Sequence, residues 1–515
     1  MSTTRLGFLL FAWAVSIWSG WGQTSGLYSA SYQVNVNAAG QNIVGDAANE
    51  PSLCVDPTNP NRIAVGWRQF DTVASDFRQA GWAYSTNGGT SWTFPGVLTN
   101  IFRSDPVLAA DAEGRFYYLG VVTSNLSGFS CDLFQSTNGG ATWQSLGPAL
   151  GGDKEWMTVD TTTGPGRGNL YQLWSPWYNY AGSAPNTGDP DKIFSRSTDG
   201  GRTWMDAISI PQWPYWGTLD IGPNGEVYVV GTDGVGFWMS RSTNAANRSV
   251  TPAFDLTSAV DLGGPMLYGA PGVNPDGLLG QPWIAVDRSE GPTRGNVYVL
   301  GTVTNQPGNF TDIMFTRSTD GGATWSAPRR INDDPLVQHA WHWFGTLSVA
   351  PDGRIDACWN DTRNNPNNRF SELYFSYSRD GGTTWSPNQA ISAPFDQTLG
   401  YPVQQKMGDY IGMVSLRGVA CIAYTATFNG EEDIYFARVE LPIIPTITLL
   451  GGAVRISWNT IAGRSYSVQF KDDLSLPWDP NSTLGSVVGD GNGASLADTA
   501  SGGRPRRFYR VVEQR

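Results

Sequence analysis

Apolar and polar residues alternate along most of this chain in short runs, and turn-forming residues separate one run from the next. In the first unit of this pattern we predict strands at 51–55, 62–67, 81–84 and 92–98. Alternation with a period of two, as in residues 313–316, is typical of strands that bury one face. The pattern therefore predicts an all-β protein.

An octad recurs at the end of a predicted strand: Ser, any residue, Asn or Asp, Gly, Gly, two further residues and Trp. Its copies occupy residues 85–92, 136–143, 197–204, 318–325 and 378–385, and a degraded copy begins at Ser242. Asn and Asp side chains accept backbone N–H bonds in turns, and paired glycines permit positive φ angles. The octad is therefore predicted to be a hairpin turn, so Asp199, Asp320 and Asp380 are structural rather than catalytic.

The same sequence of four strands surrounds each octad. Later units begin near Asp105, Glu155, Thr218, Pro282, Thr346 and Tyr410. Four-stranded sheets repeated at intervals of this length are typical of a β-propeller. We predict seven blades, with six as the alternative if one unit is an excursion. The segment 32–36 is predicted to supply the last strand of the ring, because an open edge strand invites aggregation.

The two ends of the chain differ from this repeat. Residues 1–22 combine Arg5, an apolar run and a final stretch that is rich in small residues. This pattern is typical of a secretory signal peptide, and a buried strand is the alternative. We therefore expect a secreted protein, extracellular or periplasmic, with its propeller at 23–442. No later run is long enough to span a membrane. Residues 443–515 are predicted to form a C-terminal β-sandwich with an accessory or attachment role.

Charge and cysteine content restrict the function further. The chain has 33 basic and 45 acidic residues, a net charge of −12, which argues against a nucleic-acid partner. The cysteines Cys54, Cys131, Cys358 and Cys421 lie in apolar runs, so we expect buried thiols; secretion would also permit a disulfide. No nucleotide-binding glycine motif is found in a fitting context, and no cofactor is expected.

The histidines allow a weak metal hypothesis. His339 and His342 are the only two in the chain, and Asp333 and Asp334 precede them. A zinc site would need further ligands, whereas calcium would use oxygen ligands. Because Asp-rich loops are more often turns, we expect no metal site.

The octads resemble the Asp-box, or BNR repeat, of the sialidase superfamily, and the resemblance covers roughly residues 50–440. It implies a propeller fold and an activity on glycans. Sialidases bind the substrate carboxylate with three arginines and use a Tyr nucleophile with a Glu partner and an Asp acid/base. Asp-boxes also occur in other glycosidases and in non-catalytic receptors, so the resemblance specifies the fold more closely than the activity.

The resemblance implies catalytic positions. Tyr410, in the segment 408–413, matches the nucleophile, with a core tyrosine as the alternative. Asp71 or Asp76 matches the acid on a loop after the second strand, where a solvated surface role is the alternative. Two parts of the family pattern are missing. Glu50 stands where the first arginine belongs, and 341–344 holds no Glu partner.

Substrate-binding candidates follow from the same comparison. They are Glu50, Arg68, Arg363 and Trp343. Further aromatic residues could stack on sugar rings, with packing between blades as the alternative: Trp67, Trp174, Trp177, Tyr178, Trp216, Trp341 and Trp359. Carboxylates near the strand starts, including Asp361 and Asp409, would repel sialic acid and suit a neutral sugar.

Two functions stay open at this point. The first is a secreted, monomeric propeller that acts on a glycan or polysaccharide as an exo-acting glycoside hydrolase, for which two facing carboxylates would suffice. The second is a non-catalytic propeller that binds carbohydrate or protein.

Overall fold

The computed structural model describes most of the chain, and the predicted signal at 1–22 lies outside the described residues. The described residues are 27–123, 128–176, 192–304, 309–336, 339–443, 445–450, 453–461, 463–491, 493–500 and 507–514. Strands and turns make up their regular structure, and they include no helix that could span a bilayer. Two compact units are present. The larger unit is Ser29–Leu416 with Ala420–Val439, and the described residues of the smaller unit lie within 27–28, 417–419 and 440–514.

The strands of the larger unit are short and follow one another with few long gaps. In chain order they are β1 (Tyr28–Gln33), β2 (Ala47–Val55), β3 (Ile63–Phe70), β4 (Gln79–Ser85), β5 (Thr93–Val97), β6 (Arg103–Ala110), β7 (Phe116–Val122), β8 (Ser130–Ser136), β9 (Gln144–Pro148), β10 (Trp156–Val159), β11 (Leu170–Leu173), β12 (Lys192–Ser197), β13 (Ile208–Ser209), β14 (Tyr215–Ile221), β15 (Val227–Thr232), β16 (Phe237–Ser242), β17 (Leu256–Val260), β18 (Tyr268–Ala270), β19 (Asn274–Leu278), β20 (Trp283–Val286), β21 (Val297–Thr304), β22 (Thr311–Ser318), β23 (Arg329–Arg330), β24 (His342–Val349), β25 (Ile355–Asp361), β26 (Phe370–Ser378), β27 (Gln389–Ala390), β28 (Phe395–Asp396), β29 (Gly412–Leu416), β30 (Val419–Ala426) and β31 (Asp433–Glu440).

Most of these strands form four-stranded antiparallel sheets. Six sheets follow the chain directly: β2-β3-β4-β5, β6-β7-β8-β9, β10-β11-β12-β13, β14-β15-β16-β17, β20-β21-β22-β23 and β24-β25-β26-β27, the last also carrying β28 on β26. A seventh sheet has the order β1-β31-β30-β29, so the N-terminal strand completes the last blade. This closing strand is Tyr28–Gln33, a few residues earlier than the predicted segment 32–36. Strands β18 and β19 form a separate hairpin.

One end strand of each sheet is the inner strand of a blade. The inner strands β2, β6, β10, β14, β20, β24 and β29 contact one another in succession, and β29 returns to β2. This closed ring is the arrangement of a β-propeller, as the repeat predicted. The inner strand β2 is buried along its whole length, whereas the outer strand β5 is partly exposed. Polar residues are buried on the inner strands as well, since β2 includes Asn49 and Glu50.

The octads are turns, as predicted. In the last copy the Ser378 hydroxyl accepts the Gly382 N–H at 2.9 Å, and Asp380 Oδ1 accepts the Thr384 N–H at 2.8 Å. The equivalent bonds recur in the other four copies. Hydrogen bonds to Thr384 and Ser378 hold the pKa of Asp380 below its usual value even though burial opposes them. The octad aspartates are therefore engaged in turn bonds.

The second glycine of the octad is predicted to be the least replaceable position. Gly382 has φ of 81°, and an added Cβ would overlap the Phe315 ring of the preceding blade. We expect Gly382→Ala to lower the free energy of unfolding by about 2–4 kcal/mol, combining left-handed strain with overpacking. Gly430→Ala is the matched control, because Gly430 has φ of 89° and open space around its Cα. If urea denaturation shows that Gly382→Ala and Gly430→Ala lose the same unfolding free energy, packing on Phe315 is unimportant.

The smaller unit contains two three-stranded sheets. Its strands are β32 (Thr446–Leu450), β33 (Ala453–Asn459), β34 (Ser465–Lys471), β35 (Thr483–Val488), β36 (Gly493–Asp498) and β37 (Phe508–Gln514). The sheet orders are β32-β33-β36 and β35-β34-β37. Side chains of both sheets, including Ile456, Trp458, Tyr466 and Val468, share one apolar core. Two sheets that face a common core form the small β-sandwich that the pattern predicted.

All four cysteines are buried free thiols, as the apolar runs predicted. Burial raises the pKa of Cys54, Cys131, Cys358 and Cys421, so the thiolate form is disfavoured at each site. The disulfide alternative is therefore wrong.

Candidate functional site

Each inner strand of the propeller has a residue in the left-handed backbone region among its first four residues or within four residues before it. These residues are Glu50 (φ 55°), Asp105 (51°), Lys154 (55°), Trp216 (51°), Gly280 (129°), Phe344 (60°) and Gly408 (107°). Four of the positions coincide with a break in the pairing register between the first and second strands of the blade. Bulges of this kind re-aim a side chain. The repeated backbone therefore offers seven equivalent positions at one end of the ring.

Charged side chains from several of these strand starts meet in one group. We call it the axial cluster, and it consists of Glu50, Arg68, Asp105, Lys154, Lys406 and Asp409. Arg68 Nη1 lies 2.7 Å from Glu50 Oε1, and its Nη2 donates to Gln404 Oε1 at 3.0 Å. The Leu278 N–H, from the β18–β19 hairpin, donates to Asp409 Oδ1 at 2.7 Å. The cluster thus joins the first and last blades to the inserted hairpin.

Two lysines bridge the three carboxylates. Lys154 Nζ lies 2.8 Å from Asp105 Oδ2 and 3.7 Å from Glu50 Oε1, and it also contacts Asp409. Lys406 Nζ lies 2.8 Å from Glu50 Oε1 and 2.6 Å from Asp409 Oδ2. Because both oxygens contact the same ammonium group, Glu50 Oε1 and Asp409 Oδ2 lie at most 5.4 Å apart. Three carboxylates are therefore balanced by three cations within a few ångströms.

The balance determines the protonation states. Burial opposes ionisation of Glu50, but Arg68, Lys154 and Lys406 together hold its pKa well below the usual value. Against the same burial, Lys154 holds the pKa of Asp105 below its usual value. In turn Asp105, Asp409 and Glu50 raise the pKa of Lys154 well above that of a free lysine, although burial acts the other way. Glu50 and Asp105 are consequently ionised near neutral pH.

Two further carboxyl groups beside the cluster behave in the opposite way. Burial raises the pKa of Asp153 to about 6, and the nearby Asp105 adds to the effect. Burial also raises the pKa of Glu155 well above its usual value, and neither carboxyl oxygen of Glu155 has a hydrogen-bond partner in the described part of the chain. Asp153 is partly exposed, whereas Glu155 is fully buried. Carboxyl groups with raised and with lowered pKa values are thus neighbours at this end of the ring, and among them Asp153 is accessible to solvent.

Tyr410 lies close to this cluster but is enclosed. Its hydroxyl donates to the Pro106 carbonyl at 3.0 Å, and the ring packs edge-to-face on Trp156 at 5.1 Å. Burial, with the charges of Glu50 and Asp105, raises the pKa of Tyr410 well above its usual value. This is the environment of a core tyrosine rather than of an activated nucleophile.

The other proposed catalytic positions are loop residues. Asp71 and Asp76 are both exposed in the loop that follows β3. Asp76 Oδ1 accepts the Gln404 N–H at 2.6 Å, so it anchors the loop that carries Lys406. The structure therefore brings Asp76 to the edge of the axial cluster through a backbone contact.

The substrate-binding candidates divide into two groups. Glu50 and Arg68 belong to the axial cluster and are fully buried. Trp343 is also fully buried, and its indole N–H donates to Ser371 Oγ at 3.1 Å, so it offers no face to a sugar ring. The same burial holds for Trp67, Trp174 and Trp359, whereas Trp216 is partly exposed. Trp177 and Tyr178 lie outside the described residues.

Arg363 belongs to a separate buried cluster between two blades. It pairs with Asp361 at 2.7 Å and with Asp333 at 2.6 Å. Next to it, the His342 Nδ1 approaches the Thr311 carbonyl at 2.6 Å, and Nε2 approaches Asp334 at 3.1 Å. Despite burial, Asp361 and Asp334 raise the pKa of His342. Because its ring nitrogens contact Thr311 and Asp334 of the preceding blade, this histidine is a structural link between blades.

The metal hypothesis finds no cluster to support it. Within the described ranges, no group of three or more His, Cys, Asp or Glu side chains is arranged to hold a metal ion. The ring of His339 packs against Phe310 at 5.9 Å, away from the hydrogen bonds of His342. The acidic loop is instead hydrogen-bonded to neighbouring backbone, because Asp333 Oδ2 accepts the Asn388 N–H at 2.9 Å.

The opposite ends of the inner strands line a cavity. Its volume is about 580 Å³, and all seven inner strands contribute to its wall. Trp156 and Trp283 line it and pack edge-to-face at 5.0 Å. This end of the ring thus combines aromatic and aliphatic side chains with charged ones such as Asp220 and Arg288.

Sequence reasoning missed the two lysines and Asp153. The chain has only four lysines, and two of them meet at the axial cluster. The scarcity of lysine was the signal that could have identified Lys154 and Lys406, because a rare residue type beside a predicted strand start is more informative than a common one. The acidic pocket inferred from sequence is corrected accordingly: Asp409 and Glu50 are neutralised by Lys154, Lys406 and Arg68.

Comparison with known proteins agrees with the repeat. A family model described as "BNR/Asp-box repeat" matches residues 376–387. The chain is 24% identical over 388 residues to a xyloglucanase from Paenibacillus sp, covering 66% of this chain and 34% of the relative. It is 23% identical over 429 residues to xyloglucanase Xgh74A from Acetivibrio thermocellus, covering 70% and 46%. The chain therefore spans about a third to a half of the length of these relatives.

A solved structure is also similar. Phage phi92 endosialidase aligns with 82% of this chain and 70% of its own, at 10% identity and a TM-score of 0.42. The family model confirms the resemblance of the octads to Asp-boxes, because its match includes the copy at 378–385.

Proposed function

We propose that the protein is a glycoside hydrolase that acts on a neutral polysaccharide at the axial cluster. One observation carries the proposal: Asp153 and Asp105, two neighbouring carboxyl groups at the strand starts of the propeller, have pKa values shifted in opposite directions. Pairs of this kind identify the acid and the base of a glycosidase. The similarity to xyloglucanases supports a polysaccharide substrate.

The roles follow from the environments. Asp153 is partly exposed and its raised pKa of about 6 keeps a proton available, so it would protonate the leaving glycosidic oxygen. Asp105 stays ionised because Lys154 lies 2.8 Å from it, so it would act on the opposite side as base or as stabiliser of positive charge. Lys154 is a positioning residue, since it also reaches Asp409 and Glu50.

A neutral substrate suits the electrostatics better than a sialoside. Each cation of the axial cluster already pairs with a carboxylate, so no cluster cation is left over for a substrate carboxylate. Glu50 also occupies the position where the sialidase pattern has its first arginine.

The proposal is tested by incubating the full chain with xyloglucan, hydroxyethyl cellulose, arabinan and a sialylated glycan, and measuring released reducing ends. We expect turnover of a neutral polysaccharide and none of the sialylated glycan. If no neutral polysaccharide is cleaved at any pH between 4 and 8, hydrolysis at this cluster is rejected.

A non-catalytic binding propeller is the second candidate, and the closure of the cluster favours it. Glu50, Asp409 and Arg68 are almost fully enclosed and bonded to one another, as in a structural ion-pair network. In that case the polysaccharides would bind without release of reducing ends.

We further propose export of the chain, supported by the signal pattern of residues 1–22, and a separate C-terminal module at 443–515.

A further inference from the structure

The loop before β14 holds an exposed tryptophan in an unfavourable backbone conformation. Gln212, Trp213 and Trp216 have φ of 65°, 45° and 51°, in the left-handed region that side chains rarely adopt. The Trp213 N–H donates to the Ile210 carbonyl at 3.1 Å, which fixes the turn. Trp213 nevertheless remains 50% exposed. Strained residues that present a side chain to solvent are concentrated at binding sites.

Trp216 and Tyr268 form a second aromatic surface beside this loop. Their rings stack at 6.3 Å with an interplanar angle of 23°, and Tyr268 is 57% exposed. The Tyr268 hydroxyl donates to the Asp276 carbonyl at 3.0 Å, which fixes the ring orientation. The pair lines a small cleft of about 80 Å³ together with Val235 and Met266. A rigid aromatic face is thus held open to solvent.

These aromatic residues lie at the same end of the propeller as the axial cluster. Trp216 occupies in β14 the position that Glu50 and Asp105 occupy in their own inner strands. Tyr268 belongs to the hairpin whose Leu278 N–H bonds Asp409. Burial raises the pKa of Tyr268, and the charge of Asp409 adds to this effect, which is a further sign of proximity.

We propose that Trp213, Trp216 and Tyr268 form a sugar-stacking subsite for a neutral pyranose chain with equatorial hydroxyl groups. The inference rests on the proposed function and specifies its substrate class. Such sugars expose flat C–H faces, which aromatic rings cover while their hydroxyl groups stay hydrated. An acidic chain would be repelled by the acidic surface of a protein with net charge −12.

The test is affinity electrophoresis of the full chain in gels containing xyloglucan, hydroxyethyl cellulose or polygalacturonate. We expect Trp213→Ala and Tyr268→Ala each to weaken binding to the neutral polymers about tenfold, as for a central aromatic contact. Tyr268→Phe keeps the ring and should keep most of the affinity. Phe370→Ala is the matched control, because Phe370 is an aromatic residue of β26 that is 37% exposed. Unchanged melting temperatures confirm that the variants fold.

The outcomes separate this inference from the proposed hydrolysis. Unchanged binding in both alanine variants, or equal binding to polygalacturonate, overturns the subsite. If binding falls as expected but the wild type releases no reducing ends, the subsite stands and hydrolysis fails. If turnover is present while the alanine variants bind normally, hydrolysis stands and the subsite fails.

Discussion

Replacing Lys154 by Met is expected to lower the free energy of unfolding at pH 7.5 by about 3–5 kcal/mol, the usual result of removing one partner of a buried ion pair. Lys154 Nζ is held by Asp105 at 2.8 Å and also contacts Asp409 and Glu50. Met preserves most of the side-chain volume, so the loss reports charge rather than a cavity. Without the ammonium, three carboxylates face only Lys406 and Arg68.

Lys154→Met should lose less unfolding free energy at acidic pH than at pH 7.5. In the wild type, Glu50 and Asp105 have pKa values below their unfolded values, so they stabilise the fold above the unfolded pKa, and this is lost as pH falls. Without Lys154 these carboxyl groups protonate more readily, and protonation relieves their repulsion. Urea denaturation at pH 7.5 and at pH 4.5 measures the difference, with Lys192→Met in β12 as the control. Equal losses at the two pH values would exclude the electrostatic explanation.

Local sequence was sufficient to predict the propeller and its turns. The turn bonds that recur in every octad join residues four positions apart, such as Ser378 to Gly382 and Asp380 to Thr384. Turn chemistry of this range can be read from spacing alone. The closing strand was also predictable, because a last blade with three strands needs a fourth from elsewhere. Its register was not, since β1 pairs with β31 across almost the whole chain.

The candidate site depends on contacts that spacing does not encode. Lys154 meets Asp409 across 255 positions, and both meet Glu50 only because the ring closes. The left-handed conformation of Glu50, Asp105 and Lys154 is imposed by the start of the inner strand and has no residue signature. Family resemblance instead pointed to Tyr410, whose hydroxyl is taken by the Pro106 carbonyl. The family resemblance therefore predicted the fold around Tyr410, but it did not predict the chemical environment of this residue.

Asp153→Asn is expected to reduce kcat for the neutral polysaccharide by about 10²–10⁴-fold, the range for loss of a general acid. Its pKa is raised to about 6, so wild-type activity should fall as the pH rises through that value and the acid loses its proton. The variant should lack this alkaline limb, because an amide does not titrate. Exposed Asp206 provides the control Asp206→Asn, which should keep both rate and pH profile. Asp71→Asn tests the alternative derived from the sialidase resemblance. If Asp71→Asn removes turnover while Asp153→Asn keeps the alkaline limb, the proton donor lies on the β3–β4 loop, and the role of Asp153 is structural.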